Sequence, residues 1–350
     1  MKRILLTSTA LVAFAGAAAA DVSWSGSATL GYNDDINDGV YADADIDVTL
    51  SQELDNGITA SVTFGAELEQ HENNDDNAEA NADNNLSASL TSETASIFYG
   101  DTAYAAETYW SGVTNMNEDA FSEADGENVL RGEVVFGSVT AGVSYGVGNS
   151  GAADNGELNQ LSIGATAELG AATVVLAYQE EDTTPSNGQT GNGDYNSSEV
   201  LGLSVSANLG GADITFAYAK QDEDASTGIE IAYPIGDITA TVFYVSEDAI
   251  DDSYGLQVAY ASGPMSVTAF FHDGGDEDSG IQIGYDVGNG MNVYAGSSDD
   301  DGAYIGVEYD LGGGANLVAS FAEDSDNAAN DEIGPQAYLH GTTVAVSFSF

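Results

Sequence analysis

The side chains of this sequence that could do chemistry are carboxylates, and seven of them lie in the longest segment without strand-like alternation. The segment runs from Asp101 to Asn128 and also carries large aromatic side chains. Its acids are Asp101, Glu107, Glu118, Asp119, Glu123, Asp125 and Glu127. Rings of carboxylates attract cations, and carboxylate oxygens are the ligands that Ca²⁺ and Mg²⁺ prefer. The segment is therefore a candidate cation site.

A second group of acids stands within runs in which apolar and polar residues alternate. Each acid occupies the polar parity, among Ser, Thr and Gly. The group consists of Glu67, Glu69, Glu133, Glu230, Asp286, Glu308 and Asp310. Alternate residues of a strand point to opposite faces, so these acids are predicted to share one polar face of a sheet.

Basic residues are almost absent. The whole chain has four Lys and Arg against 58 Asp and Glu, and two of the four are Lys2 and Arg3. Arg131 has the parity of Glu133 and is predicted to face the same polar side, whereas Lys220 has the parity of apolar neighbours. Two cations cannot neutralise a phosphate backbone, so nucleic acid is excluded as a partner. Without cysteine, disulfides and thiolate metal sites are excluded as well.

Catalytic and metal-binding motifs are weak. The three histidines, His71, His272 and His340, lie in unrelated segments and allow no Ser-His-acid grouping. Ser297 to Gly302 approximates an EF-hand loop but begins with Ser and is flanked by strand-like runs. We therefore expect no enzyme and no resident cofactor. A barrel hydrolase and looser Ca²⁺ or Mg²⁺ binding by loop carboxylates stay open as alternatives.

Period-two alternation dominates the chain and predicts strands throughout. In the run from Leu201 to Leu209, for example, Leu203 and Val205 alternate with Ser204 and Ser206. Short turn signals such as Gly210-Gly211 alternate with longer acidic connections. This arrangement predicts one antiparallel up-and-down β-barrel over residues 21–350, with an even number of 16 to 20 strands, short periplasmic turns and longer extracellular loops.

Three features favour a barrel in a membrane. The small polar parity suits a water-filled lumen, tyrosines recur at strand ends, and no helical pattern is long enough to cover a sheet. Residues 1–20 have a basic start, an apolar stretch and Ala18-Ala19-Ala20, which predicts a signal peptide cleaved after Ala20 and hence export. The segment 101–128 is too long for a hairpin loop and is predicted to fold inward.

Both ends of the chain carry a family resemblance. The start Asp21-Val22-Ser23-Trp24-Ser25-Gly26, the hairpin 304–315 and the alternating last strand ending in Phe350 resemble Gram-negative general diffusion porins of the alphaproteobacterial type. The resemblance implies a homotrimer of 16-stranded barrels in the outer membrane, each with its own pore. It also implies that Phe350 is an assembly signal for the barrel-assembly machinery. The loop after the fifth strand, here 101–128, would form the constriction.

The sequence thus predicts an outer-membrane porin for passive diffusion of small hydrophilic solutes and ions, with cations preferred. Family pores usually set a basic cluster against the acidic loop, and here Arg131 is the only candidate for it. Lipopolysaccharide, bridged by divalent cations, is an expected partner. Two alternatives stay open: an acidic barrel with a structural, adhesive or calcium-binding role, and a secreted acidic β-protein of a salt-adapted organism.

Overall fold

The computed structural model is almost entirely β-structure. It describes residues 21–36, 39–70, 79–82, 86–123, 128–147, 158–183, 195–275, 277–300, 302–324 and 332–350. The predicted signal peptide, residues 1–20, lies outside the described residues. Within these ranges one short helix, α1 (Ala105–Tyr109), is present. None of the helical structure described is long and apolar enough to cross a membrane.

Strands make up most of the described residues. In order they are β1 (Asp21–Asn33), β2 (Val40–Glu53), β3 (Thr59–Gln70), β4 (Glu79–Ala82), β5 (Ser87–Thr91), β6 (Ala95–Gly100), β7 (Asn128–Phe136), β8 (Val139–Val147), β9 (Leu158–Leu169), β10 (Ala172–Gln179), β11 (Val200–Leu209), β12 (Ala212–Gln221), β13 (Asp224–Ile235), β14 (Ile238–Glu247), β15 (Ser253–Ser262), β16 (Met265–Asp273), β17 (Asp278–Gly288), β18 (Met291–Ser298), β19 (Gly302–Gly312), β20 (Ala315–Glu323), β21 (Glu332–Ile333), β22 (Tyr338–Leu339) and β23 (Gly341–Ser349).

The sheet closes into a barrel of twenty wall positions. Each strand pairs antiparallel with its sequence neighbour, and β1 pairs with β23 to close the ring. Strands β4 and β5 pair with different parts of β3 and together fill one position, while β21 and β22 form a separate small hairpin. The predicted antiparallel barrel is confirmed. Twenty strands is the upper bound predicted from the sequence, and it exceeds the sixteen that the resemblance implies.

The two ends of the barrel differ in the length of their connections. At one end short turns join the strands, as between β11 and β12, where Gly210 and Gly211 have φ of 65° and 89°. Positive φ at both central residues is what a tight two-residue hairpin requires, and glycine adopts it without strain. Segment 101–123 starts from the other end, where β6 ends.

The two faces of the wall differ in chemistry. On β11 the side chains of Leu203 and Val205 are 45% and 40% exposed, whereas Ser204 is 2% exposed. The same alternation recurs around the ring, with large apolar side chains on the outer face and small or polar ones on the inner face. An apolar exterior around a polar interior is the arrangement of a membrane barrel.

Tyrosines mark both rims of the outer face. Exposed rings near the short turns include Tyr233, Tyr285 and Tyr309, and exposed rings near the long connections include Tyr244 and Tyr254. An amphipathic ring of this kind is stable at a membrane interface, where the phenol hydroxyl stays wet.

We expect Val205→Arg to impair folding much more than Ser206→Arg. Val205 lies on the outer face between Val174 and Phe216, while Ser206 lies on the inner face beside Thr215. An arginine at the middle of the lipid-facing surface costs about 2–4 kcal/mol, and an inner-face arginine can stay hydrated. The folded, heat-modifiable fraction in outer membranes measures the difference. The reverse order would show that the two faces are assigned the wrong way round.

Candidate functional site

The segment after β6 returns into the barrel and packs on the inner faces of β7 to β14. Its helix α1 begins with residues that are fully buried, Tyr104, Ala105 and Ala106. The N–H groups of Ala105 and Ala106 donate to the hydroxyl oxygens of Ser144 on β8 and Ser162 on β9, each at 2.8 Å. The first N–H groups of a helix lack partners within the helix, so these serines fix its start to the wall.

Arg131 holds the same segment from β7. Its guanidinium donates to the carbonyl oxygen of Ala103 and, at 2.8 Å, to the hydroxyl of Thr108. It also pairs with the carboxylate of Glu133 at 3.0 Å and lies 4.7 Å from the centre of the Phe98 ring. Arg131 is 8% exposed. The positive charge of Arg131 on the inner face is therefore neutralised by Glu133, and its guanidinium attaches the segment to β7.

Trp110 anchors the middle of the segment. Its ring lies on Gly202 of β11, where a Cβ atom would leave it no room, and its centroid is 5.5 Å from that of Phe121. Its indole N–H donates to Asp119 at 2.8 Å. Burial raises the pKa of the Asp119 carboxyl, and this hydrogen bond opposes the rise. Asp119 is thus tied into the packing of the segment.

Three other acids of the segment have structural contacts. Glu107 accepts from the Tyr104 N–H at 3.2 Å in a capping box, which stabilises the start of α1. Glu118 is 5% exposed, its N–H donates to Ser226, and its carboxylate accepts from the side-chain amide of Asn117. Asp101 donates its backbone N–H to the carbonyl of Leu86.

Of the three remaining acids of the segment, the structure describes Glu123 alone. Glu123 is exposed and lies with Glu107 and Asp119 at a cavity of about 730 Å³ that Trp110 and Tyr195 also line. Asp125 and Glu127 lie outside the described residues. The structure thus gathers Glu107, Asp119 and Glu123 around one cavity.

The predicted wall acids occupy inner positions of different strands. Glu133 pairs with Arg131, and Glu230 accepts from the hydroxyl of Thr114 at 2.6 Å, which joins β13 to the inward segment. Glu308 accepts from the hydroxyl of Tyr338 at 3.3 Å. Glu67 lies on β3, and the side chain of Glu69 lies outside the described residues.

Asp286 and Asp310 have a local role that the sequence prediction missed. Each stands at the short-turn end of its strand beside a register shift and accepts from the N–H two residues on, at 2.8 Å from Gly288 and 2.7 Å from Gly312. An Asp that bonds its own backbone two residues on stabilises a turn. Both carboxylates are exposed at the short-turn rim, the end opposite to the one from which segment 101–123 starts.

An acidic wall on β2 and β3 was not singled out from the sequence. Asp43, Asp45 and Asp47 occupy alternate inner positions of β2, and Asp45 pairs in register with Glu67. Oxygens of Asp43, Asp45 and Glu67 lie within 4.8 Å of one another, a donor set that suits a hard cation. The alternating aspartates of β2 were the available signal, but their proximity to Glu67 depends on register.

Lys220 lies on the outer face near the end of β12. Its ammonium group donates to the carbonyl oxygen of Asp222 at 2.6 Å. It therefore adds no positive charge to the inner wall.

Comparisons with known proteins give one family. The family model for Gram-negative porins matches residues 7–329. Two mutants of Rhodopseudomonas blastica porin are similar in structure, at 12% and 16% identity with TM-scores of 0.46 and 0.43. Each comparison covers 94% of this chain and 100% of the other. A search of curated protein sequences finds no match.

Proposed function

Because the chain belongs to the Gram-negative porin family, whose members form diffusion channels in the outer membrane, we propose that its pore prefers cations and passes small hydrophilic solutes. The inward segment 101–123 acts as the constriction that sets which solutes pass. The family is one of channels rather than enzymes, and the proposed function needs no catalytic group.

One observation carries the cation preference: the charges on the inner wall are unbalanced. Of the two basic residues that the structure describes, Arg131 and Lys220, Arg131 faces inward. It is already paired with Glu133. On the described part of the inner wall, the carboxylates of Asp43, Asp45, Asp47, Glu67 and the cavity acids outnumber this single cation. Low-dielectric walls around a water-filled path strengthen the field of such carboxylates, which raises the local concentration of cations.

Planar-bilayer recording tests the channel itself. Purified full-length protein is expected to insert with stepwise increases in conductance, in groups of three if the barrel is a trimer. Silence at all voltages, with the protein folded, would contradict the channel and favour the structural or adhesive barrel.

Partners follow from the same proposal. The chain is exported with residues 1–20 as its signal and assembles as a homotrimer, and lipopolysaccharide contacts are bridged by divalent cations. Divalent cations also occupy the Asp43, Asp45 and Glu67 carboxylates and compete with monovalent ions there. A fall in K⁺ preference on adding Mg²⁺ at constant ionic strength supports this occupancy, and an unchanged preference contradicts it.

We expect Phe350 to act in assembly. Its N–H donates to the Gly26 carbonyl at 3.0 Å and its carbonyl accepts from Gly26 at 3.2 Å, while its ring is 68% exposed. Deleting Phe350 removes both seam hydrogen bonds and the ring, so the heat-modifiable fraction in outer membranes should fall. Phe350→Ala keeps the backbone hydrogen bonds, so it separates the effect of the ring from the effect of the seam hydrogen bonds. An unchanged yield for both variants would show that Phe350 is not the signal.

A further inference from the structure

A second segment also folds into the barrel, and no pattern in the sequence predicts it. The hairpin of β21 and β22, residues 332–339, packs on the inner faces of β18 to β20. Ile333 is 1% exposed and Tyr338 is 3% exposed, and both belong to one buried cluster with Tyr304 and Ala322 of the wall. The Tyr304 and Tyr338 ring centroids are 5.7 Å apart. The hairpin is therefore anchored to the wall by an apolar cluster.

Glycines on the wall and in the hairpin make this packing close. The ring of Tyr338 lies on Gly306 of β19, and the ring of Tyr304 lies on Gly334 of the hairpin turn. A Cβ atom at either position would clash with the ring. The fit is thus specific to this placement of the hairpin.

The two inward segments lie on nearly opposite walls. Segment 101–123 contacts β7 to β14, the sixth to thirteenth of the twenty wall positions, and the hairpin contacts the last few positions before closure. The centres of these two sectors are almost half the circumference apart. The sector from β1 to β6, with the acidic wall of β2 and β3, lies between them.

The two segments also reach a comparable depth. Thr114 of the first bonds Glu230, the seventh residue of β13, and Tyr338 of the second bonds Glu308, the seventh residue of β19. Both strands run from the long-connection end. The first segment therefore reaches past the middle of β13, and the second reaches past the middle of β19.

We propose that hairpin 332–339 is a second constriction element, which narrows the path opposite segment 101–123 and directs ions along the acidic wall of β2 and β3. The inference rests on the proposed channel function. Tyr338 and Ile333 are its positioning residues, because they hold the hairpin against the wall.

The first test detaches the hairpin. Ile333→Ala with Tyr338→Ala removes both anchors, while Ile250→Ala with Tyr254→Ala removes the same side chains from exposed positions at the same barrel end. The anchor variant is expected to show a higher unitary conductance and to admit larger polyethylene glycols, with the control unchanged. A folded anchor variant with the wild-type conductance and size limit would overturn the proposal.

The second test keeps the anchors and holds even if the first variant fails to fold. The chain has no cysteine, so Pro335→Cys places a single thiol at the exposed tip of the hairpin, and Glu223→Cys places one in the connection of β12 and β13. Reaction with a charged methanethiosulfonate is expected to lower unitary conductance only for Pro335→Cys. Complete labelling of that thiol without a change in conductance would overturn the proposal. Because both tests are read against a conducting wild type, their failure is distinct from failure of the channel itself.

Discussion

Replacing Arg131 by methionine is expected to release the start of segment 101–123 and to give a channel of higher and noisier conductance. The guanidinium bonds Ala103 and Thr108 of the segment and pairs with Glu133. Each hydrogen bond to a charged group contributes about 1.5–3 kcal/mol, so losing the bonds to Ala103 and Thr108 removes most of the attachment of the segment to β7. Single-channel recording and protease sensitivity of the segment measure the release.

Lys220→Met is the matched control for Arg131→Met. It removes the same charge from the outer face, where Lys220 bonds only the nearby Asp222 carbonyl in the described contacts. The control should conduct as the wild type does. A quiet channel of unchanged conductance in Arg131→Met would mean that Ser144, Ser162 and Trp110 hold the segment without it.

Neutralising the acidic wall is expected to reduce cation preference several-fold at low salt. The variant combines Asp43→Asn, Asp45→Asn and Glu67→Gln, three carboxylates that lie together on the inner face. In water, one charge about 10 Å from an ion contributes about 0.4 kcal/mol, or roughly a factor of two in local cation concentration. The ratio of K⁺ to Cl⁻ permeability measures the loss.

A control of equal charge separates the wall from net charge. Asp222→Asn, Glu223→Gln and Asp248→Asn remove three exposed carboxylates at the long-connection end. We expect little change in the permeability ratio for this control. Equal losses in both triple variants would show that the total charge sets the preference and that β2 and β3 have no special part.

Neutralising Glu118 and Asp119 should instead disturb packing. The sequence places both in the acidic segment, but Glu118 is buried beside Ser226, and Asp119 accepts from the Trp110 indole. Sequence alone shows that a residue is acidic and on a long segment. Its burial depends on which wall the segment meets.

The faces of the strands could be predicted because side-chain alternation is local. The parity of Arg131, Leu203 and Val205 follows from their neighbours along the chain, and the structure places each as its parity indicates. The strand count was harder to predict. The sequence pattern does not indicate that two separate strands, β4 and β5, fill one position of the wall.

Contacts across strands could not be predicted, because they depend on register. Nothing adjacent in sequence indicates that Asp45 lies opposite Glu67, that Trp110 rests on Gly202, or that Tyr338 rests on Gly306. The hairpin 332–339 was missed for the same reason. Part of it belongs to an acidic connection in the sequence. Only the burial of Ile333 and Tyr338 in the structure shows that it is anchored to the wall.

The reversal potential under a KCl gradient tests the central claim of a cation-preferring pore most directly. With the full-length protein in a planar bilayer, the potential should have the sign of K⁺ preference at low salt. It should shrink at high salt, because the Debye length falls from about 10 Å at 0.1 M to about 3 Å at 1 M. A potential of the sign of chloride preference, or none at low salt, would contradict the account.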